Sequence, residues 1–312
     1  MRDTALQIRR ELIDRNLGFA ALRQHVGLFR PTTIALLDTA VDTSHPFLRR
    51  IAITAHGEHP DSGVSAHATA MASLIAGTDA TACTNDDRAA EAAALRLHTW
   101  NTRMEPATPH AAQAARIHAD IIDACSQRAD AIVVGFEFIS DNAAFVRTVA
   151  SALAHASAAG VPVFVPAGNH GRIATHPLLA HPGVVPVCMS NRGGTLHHHS
   201  AWGPLTVLRG VRAVGEDLPV ALPHNKEGEA TGTSFSAALA ARAFAALRSR
   251  WQAIGDAHGT ACPLRDTAAT AITAALRAAS CHGGAAPQRC ATLTIPGDLH
   301  VWAAYQLLSS RS

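Results

Sequence analysis

The sequence lacks the features that would assign the protein to a membrane, to nucleic acid or to the disordered class. No segment is apolar enough to span a bilayer, and the start, MRDTALQIRRELIDRNLGF, carries charges throughout without the apolar run of a signal peptide. Charged residues make up only 16% of the chain, and the formal net charge of +2 comes from interspersed signs, so there is no basic stripe. We therefore predict a cytoplasmic protein with neither nucleic acid nor a membrane among its partners.

Cysteine is sparse and shows neither the CxxC pairs of a zinc site nor the density of a disulfide scaffold. The six cysteines are Cys83, Cys125, Cys188, Cys262, Cys281 and Cys290. We expect reduced and mostly buried thiols, but Cys281 and Cys290 flank a Gly-Gly-Ala-Ala-Pro loop and could form a disulfide in an exported protein. The 19 histidines are spread along the chain, which argues against one metal cluster. The sequence thus predicts no metal site and no cofactor.

Apolar residues are abundant instead, at 48% of the 312 residues, which is enough to bury a large core. Apolar runs typical of strands alternate with alanine-rich segments of helical period. The predicted strands are 31–41, 95–100, 130–138, 161–169 and 183–190, and the predicted helices include 67–77, 111–127 and 143–160. Because strands that are apolar on both faces need cover on both sides, the pattern predicts a doubly wound α/β fold, with a mostly parallel sheet and helices on both faces.

Four polar residues stand where such a sheet places its functional groups, beyond the carboxyl ends of strands or at the start of a helix. Asp38 ends the run IALLD, and Asn169 ends VPVFVPAGN. His67 opens a predicted helix, and Ser234 lies in EATGTSFSAALAARAFAAL where another helix begins. Taken singly, each could simply cap a turn or a helix N-terminus. Together, an acid, a base, an amide donor and a hydroxyl supply what acyl transfer requires.

The segments around these residues resemble, in the same order, the motifs of subtilisin-type serine peptidases, the subtilases. The aspartate, histidine, oxyanion and serine motifs correspond to LLDTAVDTSHPFL, HATAMASLIAG, VPAGN and GTSFSAA, within residues 34–247. The resemblance implies that Ser234 attacks the scissile carbonyl, with His67 as general base and Asp38 orienting the imidazole. It also implies an oxyanion hole formed by the Asn169 amide and the Ser234 backbone N–H.

Several positions depart from the family pattern. Ala40 and Ala68 replace glycines of the aspartate and histidine motifs, which adds one methyl group at each place. After the nucleophile, residues 235–238 read Phe-Ser-Ala-Ala instead of Met-Ala-x-Pro, and the loss of the proline frees a helix N–H and relaxes the first turn. None of these changes removes a reacting atom.

The segment that lines the substrate cleft in this family is also altered. Subtilases usually carry a Ser-Leu-Gly strand there, whereas this chain has Gly135, Phe136, Glu137 and Phe138. Together with Gly168 of the VPAGN motif, these residues are candidates for substrate binding. Two interpretations are open: the aromatic rings pack into the core, or they line the cleft and narrow the specificity.

Residues 1–30 carry apolar residues at helical spacing and predict an N-terminal helical extension, followed by a peptidase domain over residues 31–312. The phrase LDTAVDTSHPFL also resembles the cyanobactin proteases, which clip leaders from ribosomally made, modified peptides. The resemblance implies a serine endopeptidase acting on a peptide or protein substrate, such as a precursor peptide, to remove a leader or mature a defined product. The alternatives are a general intracellular degradative protease and a catalytically idle, peptide-binding pseudopeptidase. Calcium is common in the family, but no calcium motif can be transferred to this chain.

Overall fold

The computed structural model describes residues 2–25, 29–57, 63–77, 93–102, 107–257, 265–280, 288–290, 293–295 and 297–309. Seven strands form its central sheet: β1 (Thr32–Asp38), β2 (Ala52–His56), β3 (Leu95–Asn101), β4 (Ala131–Val134), β5 (Val163–Pro166), β6 (Val184–Ser190) and β7 (Val211–Val214). Their order is β2-β3-β1-β4-β5-β6-β7, and all neighbours run parallel. Two antiparallel pairs follow, β8 (Leu218–Leu222) with β9 (Lys226–Ala230), and β10 (Gln288–Cys290) with β11 (Leu293–Ile295).

Helices cover both faces of the sheet. In the described residues they are α1 (Arg2–Asn16), α2 (Phe19–His25), α3 (Ala66–Ala76), α4 (His110–Ser126), α5 (Ala143–Ala158), α6 (Pro204–Arg209), α7 (Thr233–Ala257), α8 (Arg265–Ala279) and α9 (Val301–Ser309). None of these helices is both long and apolar enough to cross a membrane.

The central strand β1 shows how the two cores are divided. Ile34 and Leu36 point into the core shared with α3 and α7, whereas Ala35 and Leu37 point into the core shared with α4 and α5. Side chains alternate along a strand, so a run that is apolar at every position serves both faces. The predicted doubly wound, parallel α/β fold is confirmed.

The strands β2 and β7 were not predicted from the sequence. Strand β2 lies at the edge of the sheet, where its side chains are mostly exposed, so it shows no apolar run. Strand β7 contains the buried Arg212, whose guanidinium donates to Asp298 Oδ1 at 2.9 Å and to the Gly194 carbonyl at 2.7 Å. A charged residue inside a four-residue strand interrupts the apolar run by which the other strands were predicted.

The long helix α7 packs against five strands of the sheet. Its inner surface is built from alanines, of which Ala237, Ala238, Ala240, Ala241 and Ala243 are fully buried. Small side chains allow the helix backbone to approach the sheet closely, which fixes the position of its first turn.

Two of the cysteines are described with their surroundings. Cys188 is a buried thiol on β6, and burial raises its pKa to about 11, while Cys125 on α4 is half-buried. The candidate disulfide of Cys281 with Cys290 lies outside the described side chains.

The N-terminal helices are joined to α7 by a buried ionic cluster. Asp14 accepts hydrogen bonds of 2.7 Å from both Arg23 and Arg242, and the Arg242 guanidinium lies 4.0 Å from the centre of the Phe19 ring. Burial alone would raise the pKa of Asp14, but the charges of Arg242 and Arg23 outweigh it and lower the pKa to about 2. Leu17, Phe19 and Leu22 belong to the same core as α7. The division into an extension over residues 1–30 and a domain over 31–312 stays a prediction.

Replacing Asp14 by alanine is expected to lower the free energy of unfolding by about 3–5 kcal/mol, because two arginines would stay buried without their counter-charge. Urea unfolding of wild type and variant measures this difference. Because the folded pKa lies below the ordinary value of 3.8, the stabilisation is complete above about pH 4 and is lost as the pH falls towards 2. An exposed carboxylate, Asp141, supplies the control, since Asp141→Ala should leave stability nearly unchanged. Equal stability of Asp14→Ala and wild type would contradict the expectation.

Candidate active site

Asp38 is the last residue of β1 and lies fully buried at the carboxyl edge of the sheet. Its Oδ1 accepts hydrogen bonds from the backbone N–H and the hydroxyl of Thr39, at 2.7 and 3.1 Å. Its Oδ2 lies 2.6 Å from His67 Nδ1. Both carboxylate oxygens are therefore occupied, and the side chain is held in one orientation.

His67 lies in the first turn of α3, whose N-cap Ser65 accepts a hydrogen bond from the His67 backbone N–H at 3.2 Å. The imidazole bridges two partners, with Nδ1 at Asp38 and Nε2 at 2.9 Å from Ser234 Oγ. An ionised carboxylate only accepts hydrogen bonds, so the neutral ring carries its proton on Nδ1. Its Nε2 is then free to accept the proton of the Ser234 hydroxyl.

Ser234 is the second residue of α7 and is 5% exposed. Helix α7 is continuous through residues 235–238, although the proline of the family pattern is absent. The Ser236 hydroxyl donates to the Ala213 carbonyl at 3.0 Å.

The methyl groups of Ala40 and Ala68 are also accommodated. The Ala40 carbonyl still accepts a hydrogen bond from the Ser65 N–H at 2.8 Å, and Ala68 is fully buried. The departures from the family pattern leave His67 and Ser234 within hydrogen-bonding distance.

Asn169 follows β5 and is fixed by Thr233. The Thr233 backbone N–H and hydroxyl donate to Asn169 Oδ1 at 2.8 and 3.1 Å. Because a backbone N–H can only donate, the amide atom that faces it must be the oxygen. The amide NH₂ of Asn169 is therefore not bound by Thr233, and Asn169 lines a cavity together with Ser234.

Gly135 is required by the close approach of Asp38. A Cβ at this position would lie 2.2 Å from Asp38 Oδ2, the oxygen that meets His67. Gly168, with φ of +116°, is likewise approached closely by a carboxylate, because a Cβ there would lie 2.3 Å from Glu137 Oε2. Both glycines leave room for carboxylates of the site.

Replacing Gly135 by alanine should displace the Asp38 carboxylate and lower kcat/KM for a cleaved peptide by about 100-fold, because a shift of roughly 1 Å in such a site has that effect. Steady-state kinetics measure the loss, and thermal unfolding checks that the variant is folded. Gly63→Ala is the matched control, since no atom lies within 4 Å of a Cβ there. Unchanged kinetics in Gly135→Ala would show that Asp38 tolerates the displacement.

A cavity of about 480 Å³ opens beside Ser234 and His67. Its other lining residues include Thr102, His110, Gln113, Ile117, Gly135, Phe136, Glu137, Phe138, Ile139, Phe145, Pro166 and Asn169. The structure thus brings the GFEF segment to the same cavity as the predicted nucleophile.

The strand predicted over 130–138 was too long, because β4 ends at Val134. The Gly135 N–H still donates to the Leu37 carbonyl at 2.8 Å, and the chain then leaves the ladder. Phe138 is only 6% exposed and Phe136 packs edge-on against it, with ring centres 6.5 Å apart. Both rings join the core under α4 and α5, and both also line the cavity. Packing into the core and lining the cavity are therefore not alternatives, because Phe136 and Phe138 do both.

Two residues of the site were not predicted from the sequence. Thr39 holds the Asp38 carboxylate, and Thr233 holds the Asn169 amide. Each threonine is adjacent in sequence to a predicted site residue, but only the folded chain shows what its hydroxyl contacts. Within the described ranges, no group of three or more His, Cys, Asp and Glu side chains is arranged to hold a metal ion.

The fold is that of a subtilisin-like α/β protein. The sequence matches no family model and no curated protein, but it is similar to several solved structures. The structure of the prenylagaramide maturation protease PagA superposes with a TM-score of 0.75 at 20% identity, over 94% of this chain and 99% of that one. The PatG macrocyclase in complex with peptide gives 0.74 at 17% identity, over 95% and 97%. A lanthipeptide protease gives 0.70 at 17% identity, over 95% of each chain. At these identities the likeness establishes the fold.

Proposed function

We propose that this protein is a serine endopeptidase in which Ser234 is the nucleophile, His67 the general base and acid, and Asp38 the group that orients the imidazole. The proposal rests chiefly on the imidazole bridge, in which Nδ1 meets a buried carboxylate and Nε2 meets a hydroxyl at 2.9 Å. Ser234 Oγ forms a bond to the scissile carbonyl carbon as its proton passes to His67 Nε2. The same proton then goes to the amine as the C–N bond breaks, and water releases the acyl group from Ser234.

The charge that develops on the carbonyl oxygen is stabilised by two donors. One is the backbone N–H of Ser234, which lies in the first turn of α7, where N–H groups have no partner within the helix and the helix dipole is positive. The other is the NH₂ group of Asn169, whose orientation is set by Thr233. Donors fixed before the reaction need no reorganisation when the charge appears, and this supports catalysis rather than mere binding.

The biological role we propose is the maturation of a defined peptide. A protein named for this task, the prenylagaramide maturation protease, shares the fold over almost the whole chain, and so does a lanthipeptide protease. The bulky side chains along the cavity also favour a narrow choice of substrate over general degradation. A degradative protease would instead cut an unfolded protein mixture at many unrelated positions, which peptide mass spectrometry would show.

A fluorophosphonate probe tests the proposed nucleophile directly, since it labels a serine that is activated by a base. Wild type should be labelled at Ser234, and Ser234→Ala should not. Ser236→Ala is the matched control. The Ser236 hydroxyl lies only two residues from Ser234 but donates to the Ala213 carbonyl, so this variant should be labelled like wild type. An unlabelled wild-type protein that still binds peptides would favour the idle pseudopeptidase.

A further inference from the structure

Glu137 contributes a carboxylate to the cavity beside Ser234. Among the described residues that line this cavity, no other is Asp, Glu, Lys or Arg, so its fixed charge is a single negative one. Within the described part of the chain, the Glu137 carboxylate has no salt-bridge partner, although its side chain is half-buried. A half-buried carboxylate without a counter-charge is a site where an incoming cation is favoured.

The Glu137 carboxylate lies close to the residue before Asn169. Its Oε2 approaches Gly168, where a Cβ would lie 2.3 Å away. Gly168 directly precedes Asn169, whose amide shares the cavity with Ser234. A substrate whose scissile carbonyl is held at that amide therefore lies near Glu137, and the residue before the scissile bond contributes that carbonyl.

The His170 imidazole approaches the same point beside Gly168 as Glu137. Its Nε2 lies 2.9 Å from the same point beside Gly168, and its Nδ1 accepts a hydrogen bond from the Arg172 N–H at 3.1 Å. Within the described residues, neither a hydrogen bond nor an ion pair joins this imidazole to the Glu137 carboxylate.

The walls around Glu137 suit a long side chain with a charged end. Phe136 and Phe138 stand on either side of it in sequence, and both rings line the cavity. The aliphatic stem of lysine or arginine packs well on aromatic rings, and a planar guanidinium also stacks on their faces. A cavity that combines these aromatic rings with a single carboxylate matches such a side chain better than a neutral or acidic one.

We propose that Glu137 is a specificity-determining residue, which selects peptides with arginine or lysine immediately before the scissile bond. The proposal rests on the proposed peptidase function and specifies its substrate class. The carboxylate accepts charge-assisted hydrogen bonds from the substrate cation, while the rings of Phe136 and Phe138 hold the stem. Its contribution is therefore lost when either the substrate charge or the Glu137 charge is removed.

The test uses a library of peptides randomised around one fixed residue, which is arginine, lysine, citrulline or alanine. Citrulline has nearly the shape of arginine without its charge, so the ratio of kcat/KM for arginine over citrulline isolates the ionic contribution. Wild type should favour arginine by about 10- to 100-fold, the range of a hydrogen bond between charged groups. Glu137→Gln should bring this ratio close to one. Asp141→Asn, which removes an exposed charge outside the cavity, should keep the wild-type ratio.

Binding of the same libraries to the Ser234→Ala variant gives a second readout that needs no catalysis. The arginine-over-citrulline ratio of dissociation constants should likewise vanish when Glu137→Gln is added. Cleavage without a preference for arginine or lysine, or a ratio that is unchanged in Glu137→Gln, would overturn the role of Glu137 while the peptidase function stands. Charge-dependent binding without cleavage or fluorophosphonate labelling would keep Glu137 as the selecting residue and overturn the peptidase function instead.

Discussion

Replacing Ser234 by alanine, His67 by alanine, or both together is expected to lower kcat/KM by about 10⁴-fold or more, with three nearly equal values. The hydroxyl and the imidazole share a single proton through the 2.9 Å contact, so either change alone removes the activated nucleophile. Steady-state or single-turnover cleavage of one peptide measures all three variants. The residual rate reports what the oxyanion donors and substrate binding supply without the nucleophile.

The variant with both Ser234 and His67 replaced tests whether the two residues act together. If Ser234 and His67 acted independently, their effects would multiply and the double variant would be far slower than either single one. Such a result would contradict the shared proton path. Ser236→Ala is a control in the same helix and should retain activity, because its hydroxyl faces the Ala213 carbonyl.

Replacing Asn169 by alanine should lower kcat by about 100- to 1000-fold and leave KM nearly unchanged. This magnitude is the one established for the corresponding amide in subtilisin, and it is applied to Asn169 by analogy. In the proposed mechanism the donor acts on a charge that exists only in the transition state, and its loss therefore weakens ground-state binding little. Separate determination of kcat and KM for one peptide tests this.

Thr233 offers a graded control for the same interaction. Thr233→Ser keeps both donors to Asn169 Oδ1, whereas Thr233→Ala keeps the 2.8 Å backbone donor and loses the 3.1 Å hydroxyl donor. We expect kcat to fall in the order wild type, Thr233→Ser, Thr233→Ala, Asn169→Ala. A rise in KM with constant kcat in Asn169→Ala would instead assign the amide to substrate binding.

The sequence was sufficient to predict five of the seven strands of the sheet and to place polar residues at its carboxyl edge, for a physical reason. Parallel strands buried on both faces read as continuous apolar runs, as in the IALLD run that becomes the end of β1. The residue that ends such a run lies at the carboxyl edge, so Asp38 and Asn169 could be assigned to one side of the sheet.

Contacts between distant segments could not be predicted in this way. Nothing in the local pattern shows that the Glu137 carboxylate reaches Gly168 or that Asp14 meets Arg242, 228 residues away in sequence. The edge strand β2 was missed for a related reason, since exposed side chains carry no periodic signal of pairing. Local patterns report which face is buried, while side-chain partners depend on how the elements pack.

The cluster of Asp14, Arg23 and Arg242 also has an evolutionary consequence. Substitution of Asp14 alone leaves Arg23 and Arg242 buried without its carboxylate, whereas apolar residues of similar volume at all three positions can pack without loss of stability. Intermediate sequences are therefore disfavoured, and natural relatives should carry either the complete ionic set or a complete apolar replacement. In an alignment of such relatives these three positions would covary as a group, although they lie in two N-terminal helices and in the helix that bears Ser234.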